Sequence, residues 1–324
     1  MGKFGFFRNG DDAPDQPRGM KRPKIGIALG SGVARGWAHL GVLKRLNELG
    51  YEPDIVAGTS MGALVGGCYA AGTLSQLETY ALSLTRRKVF GLLDLTLGGS
   101  GLIAGTKLTE LLNQHLGDLN IENLEKEFIG IATELATGHE IWLRQGPLVE
   151  AMQASYALPG IFKPVSVGGI WLMDGALVNP IPVSVCRAMG ARLVIAVNLN
   201  TDAFGAGTVI QNTGFNGEDN SDVSTSNGGH SIAATIRRRI FGRSDTTDPG
   251  ISDVMMAAFN VVQDRLARSR LAGDPPDVMI APRASHIGIF DFDKAKESIE
   301  LGRDAVDKAL PYLEEAVELL KEHA

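Results

Sequence analysis

Short apolar runs alternate along most of the chain with longer segments whose apolar residues recur at helical spacing. The apolar runs predict strands at 25–29, 55–57, 128–133, 140–143, 169–174, 193–198 and 277–280. The helical spacing predicts helices at 37–49, 61–71, 74–84, 106–116, 148–156, 183–189 and 251–271, then one or two at 294–322, interrupted near Pro311. This alternation predicts an α/β fold in three layers, with a mainly parallel central sheet, helices on both of its faces, and C-terminal helices.

Three segments have no steady period. Residues 1–23 lack the apolar core of a signal peptide, which predicts a disordered leader. Residues 90–103 are apolar but interrupted by glycines, so that a mobile flap and a packed loop are equally open. Residues 201–250 are predicted to be a flexible polar insertion that ends in a basic patch. We therefore expect a main domain over 24–200 and a helical and strand extension packed on it over 251–324.

The stretch that begins at Ile55 carries the first candidate chemistry. A strand, a tight turn and a helix follow one another, with Ser60 at the tip and Gly58 and Gly62 two residues to either side. Because a sharp strand-to-helix turn leaves no room for side chains near its tip, this G-x-S-x-G pattern is typical of a nucleophile elbow. The rival interpretation is a membrane span over 55–77, which holds no charged residue but is only weakly hydrophobic because of its glycines.

A glycine-rich turn follows the first predicted strand. It reads Gly30-Ser31-Gly32-Val33-Ala34-Arg35-Gly36 and precedes a helix, so its backbone N–H groups form a site for negative charge. A dinucleotide site would need the third glycine one residue earlier, although Glu52 or Asp54 suits its acidic position. The favoured interpretation is an oxyanion hole, because the turn comes one strand before the elbow.

A serine nucleophile needs a base, and two arrangements are open. Ser60, Asp174 and His286 have the chain order of an α/β-hydrolase triad. Alternatively Asp174, at the end of a predicted strand, accepts the serine proton directly, which requires burial to raise its basicity. His39 lies in the first turn of the helix after the glycine-rich turn, where it is expected to pack or to cap.

The three motifs together resemble those of patatin-like phospholipases. They are the glycine-rich turn, the G-x-S-x-G sequence around Ser60, and Asp174-Gly175-Ala176. Residues 154–164 also resemble the family's segment ahead of its aspartate strand. The resemblance covers nearly the whole chain. It is strongest to a bacterial subgroup that includes the sigma-S regulator accessory protein and is related to the catalytic domain of neuropathy target esterase.

This resemblance implies a patatin-like catalytic domain with a Ser–Asp dyad and no metal or organic cofactor. Ser60 is then the nucleophile and Asp174 the proton acceptor, and the amides of Gly32 and Val33 line the oxyanion hole. The remaining candidate residues are Gly30, Ser31 and Arg35 in the glycine-rich turn, Gly58 and Gly62 in the elbow, and Gly175 and Ala176 after the aspartate. Val33 stands where many members have glycine, so its Cβ is expected to crowd a bulky acyl group.

Composition narrows the class of partner and the compartment. A net charge of −6 and a pI of about 5.6 argue against nucleic acid as a partner. Cys68 and Cys186 are expected to be buried free thiols in a reducing compartment. Together with the resemblance, these features predict a cytoplasmic serine hydrolase of lipid acyl esters, of phospholipase A, lysophospholipase or esterase type, with peripheral membrane contact left open. The alternative is a catalytically weak patatin-fold regulatory or lipid-binding protein.

Overall fold

A computed structural model describes residues 23–92, 106–201 and 251–322. The strands are β1 Ile25–Leu29, β2 Ile55–Thr59, β3 Glu127–Glu134, β4 Glu140–Leu143, β5 Val165–Val167, β6 Ile170–Asp174, β7 Leu193–Val197 and β8 Val278–Ile280. The helices are α1 Ala38–Glu48, α2 Met61–Ala70, α3 Leu74–Ser83, α4 Arg86–Leu92, α5 Thr106–Leu116, α6 Leu148–Ser155, α7 Val183–Ala188, α8 Ile251–Gly273 and α9 Ala295–Glu322. Short 3-10 turns lie at Val33–Trp37, Ile121–Asn123, Gly175–Leu177 and Phe292–Lys294.

The described strands form one sheet. Hydrogen-bonded neighbours follow the order β5-β6-β3-β2-β1-β7-β8, and β4 also pairs with β3. The pairs β1–β2, β1–β7, β2–β3 and β7–β8 are parallel, whereas β3–β4, β3–β6 and β5–β6 are antiparallel. The carboxyl ends of the central parallel strands therefore meet along one border of the sheet, which is where open α/β sheets bind ligands.

Alternate strand residues enter two hydrophobic cores on opposite faces of the sheet. Ile27 packs on one face with residues of α1, α2, α6 and α9, and Ala28 packs on the other with residues of α7 and α8. Helices α1 and α9 approach closely, since a Cβ at Gly41 or Gly302 would collide with the backbone of the other helix. The predicted three-layer α/β fold with C-terminal helices is thereby confirmed.

Several elements differ locally from the sequence-based prediction. Helix α4 is not among the predicted helices, and it begins with the charged triplet 86–88, whose side chains are exposed. The last helix runs unbroken through Pro311, which lies on its exposed side, so water can reach the carbonyl that loses its partner. Strand β5 was not predicted. Residues 1–22 of the predicted leader, 93–103 of the glycine-interrupted segment and 202–250 of the predicted insertion, with its basic patch, lie outside the described residues.

The stretch considered as a membrane span is divided among three elements. It contains β2, α2 and the start of α3, and the residues of β2 and α2 are buried in the protein. No helix in the described part of the chain is long and apolar enough to cross a membrane. The two cysteines are buried and free, as predicted.

Candidate active site

Two strands end at the same point along one edge of β3. Residues 130–131 pair with both β2 and β4, and residues 132–133 pair with both β4 and β6. Because a strand has only two edges, β2 and β6 share one edge of β3, end to end. Their last residues, Thr59 and Asp174, pair with adjacent positions of β3. Ser60, which follows Thr59, is therefore brought beside Asp174.

Ser60 occupies the tip of a tight strand-to-helix turn. Its φ of 58° and ψ of −122° lie where residues other than glycine are rarely found. A Cβ at Gly62 would collide with the Leu29 carbonyl, and one at Gly58 with the backbone of Gly62 and Ala63. Both glycines are thus required by close backbone contact, and the turn has the geometry of a nucleophile elbow at the N-terminus of α2.

The side chains of Ser60 and Asp174 form a hydrogen-bonded pair. Ser60 Oγ donates to Asp174 Oδ2 at 2.7 Å, and the two residues are 6% and 1% exposed. The other carboxylate oxygen, Oδ1, accepts from Ala176 N–H at 2.8 Å. Next to it, a Cβ at Gly175 would collide with the Ile131 carbonyl, so only glycine fits this turn.

Burial changes the acidity of this carboxyl. It raises the pKa of Asp174 from 3.8 to about 7, although the hydrogen bonds from Ala176 N–H and from Ser60 oppose the change. A carboxylate with a pKa near neutrality is a far stronger base than an exposed aspartate and is still ionised in a large fraction of molecules at neutral pH. The pair therefore has the acidity that general base chemistry on an alcohol requires.

The glycine-rich turn lies beside the elbow. A Cβ at Gly36 would collide with Met61, the residue after Ser60, and one at Gly30 would collide with the Val197 carbonyl. Within residues 23–92, 106–201 and 251–322, the amides of Gly32 and Val33 donate no hydrogen bond. No described residue therefore occupies these two N–H groups, and both can donate to a bound anion.

Val33 itself adopts a conformation that is unfavourable for its side chain. Its φ is 48°, which a β-branched residue rarely adopts. The side chain packs, half-buried, against a small apolar cluster. The members of this cluster are Leu158, Ile161, Met256 and Ile289, with Phe162 and Phe259 at its border. The branched side chain at this position thus contacts apolar groups next to the proposed oxyanion site.

Residues from distant parts of the chain hold the glycine-rich turn in place. Ser31 Oγ donates to Gln263 Oε1 of α8 at 2.6 Å. The buried Arg35 donates through Nε to the Ile287 carbonyl at 3.1 Å and through a terminal nitrogen to Asn200 Oδ1 at 3.0 Å. The buried Arg35 guanidinium therefore links the glycine-rich turn to residues 200 and 287 and stabilises its position.

Comparisons with known proteins identify the family. Residues 27–187 match the family model described as Patatin-like phospholipase. An uncharacterized NTE family protein of Mycobacterium tuberculosis is 33% identical over 338 aligned positions, which cover 92% of this chain and 94% of that protein. This chain belongs to the patatin-like phospholipase family. Membership supports lipid hydrolysis as its general activity.

The comparisons also include more distant matches. A second uncharacterized NTE family protein of Mycobacterium tuberculosis is 30% identical over 291 positions, covering 88% of this chain and 46% of that protein. A patatin-like phospholipase domain-containing protein of Caenorhabditis elegans is 38% identical over 186 positions, covering 55% of this chain and 14% of its own. The crystal structure of VipD from Legionella pneumophila covers 93% of this chain and 80% of its own, with 14% identity and a TM-score of 0.36.

None of the four histidines within residues 23–92, 106–201 and 251–322 hydrogen-bonds to the Ser60 hydroxyl. His286 is exposed, and its Nε2 lies 2.6 Å from Glu297 Oε1, so the structure gives the triad order no geometric support. His39 is completely buried and packs as expected, with Nε2 at 2.7 Å from the Gly30 carbonyl. Burial lowers the pKa of His39 to about 4, so its ring is neutral near pH 7 and donates from Nε2 to that carbonyl.

Sequence reasoning gave no role to Ser155, the last residue of α6. Its hydroxyl accepts from Ser60 N–H at 3.0 Å and donates to the Ile131 carbonyl at 2.6 Å. In the sequence, Ser155 was visible only as a serine within the segment 154–164 that resembles the family. That resemblance does not indicate which group its hydroxyl binds. Among the described residues, no group of three or more histidine, cysteine or acidic side chains is arranged to hold a metal ion.

Proposed function

We propose that this chain is a serine hydrolase of lipid acyl esters that uses Ser60 as its nucleophile and Asp174 as its base. The observation that carries the proposal is the 2.7 Å hydrogen bond from Ser60 Oγ to the buried carboxylate. It joins the tip of a nucleophile elbow to a group whose pKa is raised to about 7. No histidine is needed in this arrangement.

In the first half-reaction, Ser60 Oγ attacks the ester carbonyl carbon while Asp174 takes the hydroxyl proton. The carbonyl oxygen becomes an oxyanion, which accepts hydrogen bonds from the amides of Gly32 and Val33. Collapse of this tetrahedral intermediate breaks the bond to the alcohol group of the substrate. Asp174 returns its proton to the departing alkoxide, so an alcohol leaves and the acyl group stays esterified to Ser60.

In the second half-reaction, Asp174 takes a proton from water, and the hydroxide oxygen attacks the acyl-enzyme carbonyl. The same two amides stabilise the second oxyanion. The bond to Ser60 Oγ then breaks, the proton passes from Asp174 to Oγ, and the carboxylic acid is released. A phospholipid substrate would thus yield a lysophospholipid and a fatty acid, and a lysophospholipid would yield a glycerophosphodiester and a fatty acid.

The substrate class follows from family membership together with the apolar surroundings of Val33. Acyl esters of lipids, including phospholipids and lysophospholipids, offer a carbonyl next to a long apolar chain. Side chains of Leu158, Ile161 and Phe162 lie around Val33, beside the two amides that would hold the oxyanion. An apolar border of this kind favours an acyl chain over a polar acyl group.

The test is hydrolysis of short- and long-chain p-nitrophenyl esters, followed by a lipid panel with mass-spectrometric product detection. We expect Ser60→Ala and Asp174→Asn each to lower kcat/KM at least about 10³-fold, because they remove the nucleophile and its base. Asp264→Asn is the matched control: Asp264 is also buried, but its carboxylate is paired with Arg268 at 2.9 Å and not with Ser60. This control is expected to keep its activity per labelled site.

Two outcomes would overturn the proposal in different ways. If His286→Ala abolishes hydrolysis and Asp174→Asn does not, the base is a histidine and the dyad is wrong. If wild-type protein neither turns over any ester nor reacts covalently with a fluorophosphonate, the hydrolase function itself is wrong. A patatin-fold protein that binds lipid or regulates a partner without catalysis would then be the better description.

A further inference from the structure

One short segment contacts both halves of the catalytic pair. Ser155 ends α6, and its hydroxyl bridges Ser60 N–H at 3.0 Å and the Ile131 carbonyl at 2.6 Å. Two residues later, the Ala157 carbonyl accepts Asp174 N–H at 2.9 Å. The segment from Ser155 to Ala157 is therefore hydrogen-bonded at once to the residue that follows β2, to the middle of β3 and to the last residue of β6.

The Ser155 hydroxyl meets two requirements with a single atom. Ser60 N–H needs an acceptor at the tip of the elbow, and the Ile131 carbonyl, at the end of its pairing with β2, needs a donor. Among side chains only a hydroxyl is both a strong donor and a strong acceptor through one atom, since a thiol does both weakly. Ser155 is completely buried, so water does not readily replace its hydroxyl. Alanine would leave both backbone groups without this partner.

The bridge also acts on a residue whose backbone is strained. Ser60 has a φ of 58°, and such a conformation persists only where surrounding contacts hold it. The hydrogen bond from Ser60 N–H is one of those contacts, and it lies on the peptide that orients the Oγ toward Asp174. Because it engages the Ser60 amide, that amide is not free to act as an oxyanion donor.

We propose that Ser155 is a positioning residue that holds Ser60 Oγ in line with Asp174 through the Ser60 amide. This inference rests on the proposed hydrolase function, since it concerns the same nucleophile. Ser155 does not touch the carboxylate, and it acts on the nucleophile through the backbone alone. Its loss therefore changes the orientation of the attacking atom and leaves substrate binding and the acidity of Asp174 as they are.

The test compares Ser155→Ala, Ser155→Cys and Ser155→Thr with wild type. Active sites are first counted by fluorophosphonate labelling, and kcat and KM for p-nitrophenyl butyrate are then expressed per labelled site. For Ser155→Ala and Ser155→Cys we expect kcat and the labelling rate to fall together, by about 10- to 100-fold, with little change in KM or in the pH midpoint. Ser155→Thr keeps the hydroxyl and is expected to recover most of the rate.

A merely structural role predicts a different pattern. Fewer sites would then label, but each labelled site would keep its wild-type kcat, and this result would overturn the proposal. Thr73→Ala is the matched control, because Thr73 Oγ1 also donates to a backbone carbonyl, that of Cys68 at 3.1 Å, but at the far end of α2. Its kcat per site is expected to equal that of wild type.

A second measurement does not depend on esterase activity. Hydrogen exchange of the Ser60 amide is expected to become at least about 10-fold faster in Ser155→Ala, because the amide loses its acceptor. Unchanged protection of this amide would refute the role of Ser155 whether or not the protein hydrolyses esters. Conversely, suppose that wild-type protein hydrolyses no ester while Ser155→Ala still loses protection of the Ser60 amide. That pair of results would refute the hydrolase function but support the hydrogen-bond bridge through Ser155.

Discussion

Thr59 and Asp174 pair with neighbouring residues on one edge of β3, although 114 residues separate Ser60 from Asp174 in the chain. One of them ends a strand that runs parallel to β3, and the other ends a strand that runs antiparallel to it. The two strands thus meet carboxyl end to carboxyl end, and the residue after Thr59 reaches the carboxylate directly. This end-to-end arrangement explains why the proposed nucleophile and its proposed base contact each other without a third residue between them.

The acidity of Asp174 predicts the pH dependence of hydrolysis. A general base must be ionised, so kcat/KM is expected to rise with pH, about tenfold per unit below the pKa, and to level off above it. Since the pKa of Asp174 is about 7, the midpoint should lie near pH 7. The measurement is kcat/KM for a p-nitrophenyl ester between about pH 5 and pH 9. A midpoint near 4 would mean that the carboxylate is not desolvated in the working enzyme.

The same carboxyl is predicted to destabilise the protein at alkaline pH. The unfolded chain loses this proton near pH 3.9 and the folded chain only near 7, so stability falls as pH rises between these values. The cost is complete above pH 7 and is on the order of 4 kcal/mol. Asp174→Asn removes the buried charge and should raise Tm at pH 8, by roughly 5–10 °C.

The pH dependence of that gain separates it from a general effect of the substitution. Near pH 4 the folded wild-type protein carries a neutral carboxyl, which asparagine closely resembles, so the two Tm values should converge. Ser60→Ala keeps the carboxyl and should not reproduce the gain at pH 8. Equal Tm values for wild type and Asp174→Asn at pH 8 would contradict the predicted burial cost.

At position 33 the stability of the glycine and alanine variants is predicted to follow the reverse of the usual order. Glycine adopts a φ of 48° without strain, whereas alanine keeps a Cβ and also loses the apolar contacts of valine. Val33→Gly should therefore be at least as stable as Val33→Ala, although elsewhere glycine is commonly the worse of the two by about 1 kcal/mol. Thermal unfolding of both variants gives the comparison, and a clearly less stable glycine variant would contradict it.

The same substitution is predicted to change the acyl preference. Removing the branched side chain beside the proposed oxyanion amides leaves more room for a bulky acyl group. The ratio of kcat/KM for a long-chain ester to that for a short-chain ester should increase in Val33→Gly, by about 10-fold or less. Parallel assays with p-nitrophenyl butyrate and a long-chain p-nitrophenyl ester measure it, and an unchanged ratio would show that Val33 does not contact the acyl chain.

Gly62 is predicted to be intolerant of any side chain. Its Cβ would collide with the Leu29 carbonyl, so Gly62→Ala must displace either β1 or the elbow. We expect a loss of at least about 2 kcal/mol in unfolding free energy and loss of fluorophosphonate labelling. Gly130→Ala is the matched control in β3, because its Cβ would lie no closer than 3.7 Å to its neighbours. Similar losses in both variants would mean that close approach is not the cause.

Much of the fold could be predicted from local patterns. Strand and helix periodicity depend on residues a few positions apart, so the α/β class and most element positions follow from the sequence. The elbow glycines and the Asp174-Gly175 turn could be predicted for the same reason, because the conformation of a turn depends on adjacent residues. Strand β5 was missed because it has only three residues, and the helix through Pro311 was missed because exposure, not propensity, decides whether the proline is tolerated.

Only the tertiary structure decided how the motifs meet. The sequence named Ser60 and Asp174 but left the base open between Asp174 and His286, because chain order carries no distance. Strand register brings Asp174 to 2.7 Å from Ser60, and burial among surrounding elements raises its pKa to about 7. The partners Ser155 and Gln263 lie 95 and 232 residues from the groups they hold. Contacts over such separations depend on the packing of the whole fold, and no local pattern encodes them.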